Sequence, residues 1–386
     1  MKSTASTATP EQEIPLMESA PGPEVIIDGR RYFYFGGTSY YGLHGHPEVI
    51  AAGCEGFRKY GFHTATSRAG FGNSRPLLEV ERRAAEHAGR EAGFYFSSGY
   101  ASNHILVQAI PRPGAIFIDE AAHFCVAEAA RLPGVPVHSF RMRDAADLQG
   151  KLGAHLPPGT SPLVMSDGVV PATGELPPLD DYVRVLGGFA PATLLVDDAH
   201  GLGVLGDHGR GSLEHLGLDD TANGGTAREG VSILCGGTLG KAMGGFGGII
   251  TGSAEFMKRV RDSSHYHDGA SAPPSPVATA TAKALELIAN DPSFRETLRR
   301  NTLHLRQGLR ALGLNVHGVP SAQVGVAIGT AANMARLHRE LRERGFMVPV
   351  TSYAATGPEG IMRFAACSGH TPQMIDDLLI SLRELL

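Results

Sequence analysis

Residues Gly236–Gly248 read GGTLGKAMGGFGG and place one lysine, Lys241, among glycines and small apolar side chains. The apolar runs SILC (232–235) and GGII (247–250) flank the lysine, which predicts a loop between two short strands. A nucleotide-binding P-loop is excluded, because its first glycine would fall on Cys235 and Ala242 follows the lysine instead of Ser or Thr. The non-functional alternative is a glycine-rich surface loop whose lysine is merely exposed to solvent.

Three segments upstream of this loop each end in polar residues suited to a ligand site. TLLVDDAHG (193–201) closes an apolar run with Asp197 and has His200 three residues later. FYFSSGYASN (94–103) predicts a strand, a Ser-Gly turn and a helix start, whose N–H groups can bind an anion. FIDEAAHFC (117–125) places His123 just after a strand. Taken singly, each segment also has a structural explanation, such as a helix cap or a satisfied polar pair.

Short apolar runs alternate with helical segments over the first two thirds of the chain, which predicts an α/β fold with a mainly parallel sheet. Ligands on such sheets bind at the carboxyl ends of the strands. VIIDGRRYFYF (25–35) predicts a hairpin around Asp-Gly, and long helices begin after APPSP (272–276). We therefore expect a tail and arm with a hairpin (1–45), a large domain (46–275) and a smaller α+β domain (276–386).

Composition narrows the class of protein. The 386 residues are 42% hydrophobic and carry a net charge of −5, which argues against nucleic-acid and membrane-surface partners. No apolar run approaches the roughly 20 residues of a membrane span. The four cysteines form no CxxC pair, which is typical of reduced thiols in the cytoplasm. The first twenty residues lack the apolar core of a signal peptide, so we expect a frayed tail there.

Together, these segments supply what pyridoxal 5′-phosphate (PLP) requires of a protein. Its aldehyde forms a Schiff base with a lysine amine. Its pyridine nitrogen stays protonated when a buried aspartate lies beside it, and its phosphate suits a helix start. The sequence therefore predicts a PLP site in which Lys241 is the covalent anchor, with glycines that let the backbone approach the cofactor.

The ordered motifs resemble the α-oxoamine synthase family of fold-type-I PLP enzymes, from about Tyr40 to the C-terminus. The matching segments are YGLHGHPEVI, TSRAGFG, SSGYASN, DEAAHFC, VDDAHGLGVLGDHGRG, GGTLGKAMGGFGG and MRFAACSGHT. The resemblance implies a fold-type-I PLP-dependent transferase that is a homodimer with shared active sites. It also implies a decarboxylative condensation of an amino acid with an acyl thioester, usually acyl-CoA, to an α-amino ketone.

The resemblance assigns roles to individual residues. Lys241 would hold the cofactor and move the substrate α-proton, Asp197 would pair with the ring nitrogen, and His200 would contact the ring hydroxyl. His123 would stack on the ring, and Arg363 would receive the amino-acid carboxylate, a task suited to a planar guanidinium. Phosphate contacts would come from Ser98, Gly99, Tyr100, Thr238 and Ser271, the last reaching a neighbouring subunit, and further substrate contacts from Ser39 and Arg68. No metal site is expected, since His265, His267 and Asp268 are better explained as a polar loop.

Four positions depart from the family pattern. Ser39 stands where the family has Asn, Leu77 where it has His, Pro171 where many members have Ser, and Ala270 where it often has Ser. These departures leave the amino acid, the acyl donor and its carrier open. They also motivate an alternative, another PLP-dependent carbon–carbon reaction of aldol or Mannich type without acyl-CoA. An aminotransferase is disfavoured because no second-carboxylate recognition is identifiable, and a non-catalytic relative is disfavoured by the intact Lys241 set.

Overall fold

The structure is a computed structural model that describes residues 15–219, 227–228, 230–352 and 355–386. Residues 1–14 of the expected tail lie outside these ranges. The strands are β1 Glu24–Ile27, β2 Arg30–Tyr34, β3 Ala92–Phe96, β4 Ala115–Asp119, β5 Val137–Phe140, β6 Pro162–Asp167, β7 Ala192–Asp197, β8 Ala227–Arg228, β9 Val231–Thr238, β10 Gly248–Gly252, β11 Gln323–Val326, β12 Phe346–Met347, β13 Val350–Thr351 and β14 Ile361–Ala365. The helices are α1 Pro47–Tyr60, α2 Arg75–Ala88, α3 Ser102–Ala109, α4 Phe124–Ala129, α5 Ala145–His155, α6 Leu179–Gly187, α7 Ser212–His215, α8 Ala254–Ser263, α9 His265–Asp268, α10 Ser275–Asn290, α11 Ser293–Ala311, α12 Ala331–Glu343 and α13 Pro372–Leu385.

The central sheet has the strand order β3-β10-β9-β7-β6-β4-β5, and β8 pairs with β9 outside this order. The pairs from β9 to β5 are parallel, whereas β10 runs antiparallel to both β3 and β9. A mainly parallel sheet was predicted from the alternation of strands and helices, and it is confirmed. The carboxyl ends of β3, β4, β6, β7 and β9 therefore share one edge.

The parallel strands are apolar on both faces because helices cover both sides of the sheet. Leu195 of β7 packs with residues of α3 and α4, whereas Leu194 and Val196 pack with residues of α5 and α6 on the opposite side. All residues of β4 and β6 are buried. Two cores on either side of one sheet give it little freedom to deform, which makes it a rigid base for residues at its edge.

A second, antiparallel sheet has the order β11-β14-β13, and α11, α12 and α13 contribute to its core. The N-terminal hairpin turns at Asp28 and Gly29, both with positive φ, as a two-residue hairpin loop requires. Its second strand, β2, pairs in parallel with β12. The first strands of the chain are thus joined to the C-terminal part, and the boundaries 1–45, 46–275 and 276–386 remain a proposal.

Helix α10 follows the proline-rich segment before Ser275 and packs against α1 and α2. No helix within the described ranges has the length and apolar character needed to cross a bilayer.

Candidate active site

A cavity of about 220 Å³ lies at the carboxyl edge of the central sheet. Asp167, Asp197 and Thr238 end β6, β7 and β9 there, and Asp167 is in register with Asp197 on the neighbouring strand. The lining residues are Ser98, Gly99, Tyr100, His123, Cys125, Asp167, Val169, Pro171, Asp197, Ala199, His200, Thr238 and Lys241. The structure thus brings together every residue that the sequence predicted for catalysis.

Lys241 presents a reactive amine to this cavity. Its Nζ lies 2.9 Å from Nε2 of His200. Burial lowers the pKa of Lys241 to about 8, with the charge of Arg363 adding to the shift and that of Asp197 opposing it. A substantial fraction of the amine is therefore neutral near pH 8, as a nucleophile for an aldehyde must be.

Asp197 is a buried carboxylate that is held by hydrogen bonds. Its Oδ2 accepts from Nδ2 of Asn103 at 2.7 Å and from Sγ of Cys125 at 3.2 Å, and its Oδ1 accepts from the Ala199 N–H at 3.1 Å. Within the described ranges, no lysine or arginine forms an ion pair with it. A buried carboxylate favours a positive partner, and the protonated ring nitrogen of PLP would supply that charge. The donor set of the cavity therefore fits this cofactor.

The pKa values of both site histidines are lowered, which favours their neutral forms. His200 is buried, and burial together with the charges of Lys241 and Arg363 lowers its pKa well below the usual range. Its Nδ1 lies 2.9 Å from the hydroxyl of Tyr40. Burial also lowers the pKa of His123, whose ring caps α4 by accepting from the Cys125 N–H at 3.2 Å. Both rings are thus held by their own local contacts before any ligand binds.

The predicted phosphate cradle is a tight turn after β3. Ser98 caps the 3-10 turn Gly99–Ala101 that leads into α3, and its hydroxyl accepts from the Tyr100 N–H at 3.3 Å. A Cβ at Gly99 would lie 2.6 Å from Cβ of Thr238, so only glycine fits there. The Thr238 hydroxyl donates to the carbonyl of Gly247 at 2.9 Å. These contacts assemble the cradle from two distant strands.

Several glycines around Lys241 are required by close packing within the protein. A Cβ at Gly244 would lie 2.3 Å from Cβ of Leu43, and one at Gly245 would lie 2.5 Å from Cγ2 of Thr281. A Cβ at Gly247 would meet the carbonyl oxygen of Phe96 at 2.4 Å. These glycines let the loop pack tightly against other parts of the chain, and the expected close approach of the loop to the cofactor stays a prediction.

Arg363 of β14 does not line the cavity but contacts its lining residue Pro171, and it is held by backbone carbonyls. Its Nε donates to Pro171 at 3.1 Å and its Nη1 to Gly36 at 3.2 Å, while Nη2 lies 3.5 Å from the Tyr40 hydroxyl. No acidic side chain in the described ranges pairs with this guanidinium. Ser39 lies nearby but is paired with His44, since its Oγ is 2.6 Å from Nδ1 of that ring.

Arg68 is not brought to the cavity. Its side chain is buried in an ion pair with Glu81, with Nη2 and Oε2 3.2 Å apart, and Nη1 also donates to the carbonyl of Tyr95 at 3.1 Å. Leu77, at the position of the family's histidine, is buried in the core beside Tyr95. These contacts give Arg68 a structural role and leave its predicted substrate role without support.

Ser271 does not line the cavity either. It is exposed, and its carbonyl accepts from the Ser97 hydroxyl at 3.1 Å.

His265, His267 and Asp268 lie in the short helix α9, where His267 Nδ1 is 3.0 Å from Asp268. The described ranges contain no group of three or more His, Cys, Asp or Glu side chains that could hold a metal ion.

Several site residues were missed by the sequence reasoning. Asp167 lines the cavity, and its Oδ2 accepts from the His123 N–H at 2.9 Å. Burial and the adjacent charge of Asp197 raise its pKa well above the usual range. Its position directly after the apolar run LVMS is a signal that could have identified it. Cys125, Asn103 and Tyr40 are recognisable only from their contacts.

A mainly parallel sheet that carries a lysine, a strand-end aspartate and a helix-start cradle at one edge defines a fold-type-I PLP-dependent transferase. The chain belongs to the aminotransferase class I and II family, whose pattern matches residues 35–382. It is 34% identical to an 8-amino-7-oxononanoate synthase from Nitrosococcus oceani, with 96% of each chain covered. It is 31% identical to a serine palmitoyltransferase from Sphingobacterium spiritivorum, over 94% of this chain and 88% of the relative.

Solved structures show the same relationship. A lysine-to-alanine variant of serine palmitoyltransferase from S. paucimobilis with a bound PLP–myriocin aldimine superposes with a TM-score of 0.87 at 27% identity, covering 96% of this chain and 92% of that one. The serine palmitoyltransferase of Sphingomonas wittichii gives a TM-score of 0.87 at 26% identity, with 96% and 91% covered. The predicted family, fold, cofactor and enzyme class, a PLP-dependent acyltransferase, are confirmed.

Proposed function

We propose that this enzyme condenses an amino acid with an acyl thioester, with loss of CO2, to give an α-amino ketone. The observation that carries the proposal is the contact of Lys241 with His200 at 2.9 Å, in one cavity with the carboxylate of Asp197, which forms no ion pair in the part of the chain that the structure describes. The names of its relatives, 8-amino-7-oxononanoate synthase and serine palmitoyltransferase, support this reaction class.

The residues that would hold the cofactor are those of the strand edge. When bound, PLP supplies an electron-withdrawing ring that stabilises negative charge on the substrate α-carbon. Asp197 would keep the ring nitrogen protonated, and His200 and His123 would contact the ring. The cradle of Ser98, Gly99 and Tyr100, with Thr238 beside it, would hold the phosphate.

Lys241 serves as the base that removes the α-proton of the amino acid. Its pKa of about 8 suits this task, because the neutral amine is available near physiological pH and its conjugate acid can return the proton. Burial raises the pKa of Asp167 and of the Cys125 thiol, which disfavours a second negative charge beside Asp197. The site thus combines an acid for the cofactor, Asp197, with an amine for the substrate, Lys241, whose pKa is about 8.

Arg363 would bind the carboxylate of the amino acid. Its guanidinium is positioned by the carbonyls of Pro171 and Gly36 and carries no acidic partner in the described ranges, so its charge is available to a substrate. Ser39 lies close by, but its hydroxyl is engaged by His44. We assign Ser39 a supporting role through that contact. Arg68 would act on the substrate only indirectly, by fixing the segment around Ser67.

We further propose a cytoplasmic homodimer with shared active sites. The exposed position of Ser271, next to the Ser67–Ser271 bridge, leaves its hydroxyl available to a neighbouring subunit's phosphate site. Exposed Phe62 and Phe71 lie in the same region of the chain, and apolar surface of this kind is typical of subunit contacts. The free cysteines Cys54, Cys125, Cys235 and Cys367 are consistent with a reducing compartment.

The test is to incubate the PLP-loaded enzyme with single amino acids, with and without acyl-CoA or acyl-carrier protein. We expect CO2 and free thiol to appear together only when both substrates are present, and Lys241→Ala to abolish both. Product formed from an amino acid and an aldehyde without thioester would favour the aldol or Mannich alternative. Light scattering of the same preparation measures whether the enzyme is a dimer.

A further inference from the structure

A second buried arginine, Arg306 of α11, is 2% exposed and does not line the cavity. Its Nη1 donates to the carbonyl of His317 at 3.1 Å. Its Nη2 donates to the carbonyls of Ser321 and Gln323 at 3.0 and 2.7 Å and lies 2.9 Å from the Ser321 hydroxyl. These contacts fix the anchored segment, residues 317–323, which leads into β11.

Arg306 is costly to bury, because no carboxylate in the part of the chain that the structure describes pairs with it. Burial and the charge of Arg310 lower its pKa to about 10, so the guanidinium is still charged at neutral pH. An apolar side chain could fill the same space without desolvating a charge. A guanidinium, however, donates in a fixed plane to several carbonyls at once, which indicates that Arg306 holds the anchored segment in one conformation.

The anchored segment contacts a turn at residues 170–175, the cavity turn. The Ser321 hydroxyl donates to the carbonyl of Gly174 at 2.5 Å. Nε2 of His317 lies 2.9 Å from the carbonyl of Thr173. The position of the cavity turn therefore depends on the segment that the buried guanidinium holds.

Two nitrogens of Arg363 contact residues that these segments contain or hold. Its Nε donates to the carbonyl of Pro171, which belongs to the cavity turn and lines the cavity. Its Nη2 lies 3.5 Å from the Tyr40 hydroxyl, which donates to Oε1 of Gln323 at 3.0 Å. Since Gln323 ends the anchored segment, Arg363 is connected to Arg306 by two separate sets of hydrogen bonds.

We propose that Arg306 is a positioning residue for substrate recognition, because it fixes the two segments that hold Arg363 and that place Pro171 at the cavity. This role rests on the proposed function, which gives Arg363 the carboxylate of the amino acid as its ligand. Arg306 touches neither the cavity nor Arg363 and acts only through the anchored segment.

The first measurement is hydrogen–deuterium exchange of the full-length, PLP-loaded protein. Arg306→Lys keeps a positive charge but loses the planar set of donors. We expect peptides with the amides of Gly174 and Gly325, which donate to carbonyls of the cavity turn, to exchange about tenfold faster than in the wild type. Peptides from β7 should exchange at the wild-type rate. Arg300→Lys is the matched control and should change nothing, because Arg300 lies on the same helix and contacts the hydroxyl of Thr297 instead.

The second measurement is the binding of an amino acid to the PLP-loaded protein without acyl thioester, with L-serine and L-alanine as probes. We expect Arg306→Lys to raise Kd about tenfold while the absorbance of the bound cofactor stays unchanged. Ser321→Ala, which removes the hydroxyl between Arg306 and the cavity turn, should also raise Kd. The double variant should raise Kd by less than the product of the two single changes, because both interrupt the same contacts.

Wild-type exchange of the cavity turn in a folded Arg306→Lys protein would overturn the role of Arg306. Faster exchange spread evenly over β7 and α11 would also overturn it, because that result shows a general loss of stability. The exchange measurement needs no substrate and decides the matter even where neither probe binds. A wild-type Kd in Arg363→Lys would contradict the proposed function of that residue, whereas a raised Kd there with an unchanged Kd in Arg306→Lys would overturn only the role of Arg306.

Discussion

The two sides of the cavity are built in different ways. On one side Asp167, Asp197 and Thr238 end adjacent strands of one sheet, so strand register sets their spacing. On the other side, the lining residues His200 and Pro171 are contacted from behind by Tyr40 of the N-terminal segment and Arg363 of the small antiparallel sheet. Backbone carbonyls hold the guanidinium. The comparison teaches that the cofactor chemistry rests on one rigid element, whereas substrate recognition depends on how separate parts of the chain pack together.

The largest effect is expected on the strand-edge side. Lys241→Ala removes both the covalent anchor and the base, and should lower kcat about 10⁴-fold. It should also remove the visible absorbance of the bound cofactor. Lys283→Ala, which removes a lysine that pairs with Glu286 on α10, is the control and should retain both. Substantial turnover by the Lys241→Ala enzyme would contradict the assignment of the base.

A large effect on stability is expected at Arg68, which the sequence predicted to contact the substrate. Glu81→Ala leaves the buried guanidinium of Arg68 unpaired, which should lower the free energy of unfolding by about 3–5 kcal/mol. Urea denaturation measures this loss, and KM for the amino acid should stay unchanged. Arg82→Ala removes an exposed ion pair from the same helix and should have little effect. A raised KM without a loss of stability would instead return Arg68 to the substrate site.

A smaller effect is expected on the recognition side. Arg363→Lys keeps the positive charge but loses the planar set of donors, and should raise KM for the amino acid about 10- to 100-fold with a smaller change in kcat. Steady-state kinetics at varied amino-acid concentration measure the split. Arg336→Lys, at an ion pair with Glu340 on α12, is the control. An unchanged KM would place the carboxylate site elsewhere.

The smallest expected effect is a dependence of the rate of PLP capture on pH. Because burial lowers the pKa of Lys241 from 10.5 to about 8, the amine is neutral above pH 8 and protonated below it. The rate at which the cofactor-free enzyme captures PLP should therefore fall about tenfold for each pH unit below 8 and level off above it. Stopped-flow absorbance measures this rate. A rise that continues to pH 10 would show that the amine keeps the pKa of a solvated lysine.

The strand-edge side could be predicted from the sequence because its signals are local. Asp197, His200 and Lys241 each follow an apolar run within a few residues, and the carboxyl ends of parallel strands meet at one edge. The central sheet and the hairpin at Asp28 and Gly29 were predicted for the same reason. Hydrophobic periodicity and turn-forming residues are local signals, and each of these segments contains enough residues for its strand or turn to be predicted.

The recognition side could not be predicted in the same way. The contact of Tyr40 with Gln323 joins positions 283 residues apart, and no local pattern marks either residue. Arg68 was assigned from its motif alone, whereas its partner Glu81 is visible only after the segment between them has folded. The packing role of Gly244 and Gly245 could not be predicted either, since Leu43 and Thr281 reach them from distant parts of the chain.

The pairing of β2 with β12 has a consequence for the order in which this protein can be completed during synthesis. Phe33 leaves the ribosome early, but its partner Phe346 is made more than 300 residues later. Until then the outer edge of the hairpin has no strand to pair with, and exposed edges of this kind attract other chains. The N-terminal sheet can therefore be completed only after nearly the whole polypeptide has been synthesised. Chains that end before β12 have a β2 edge without a partner strand.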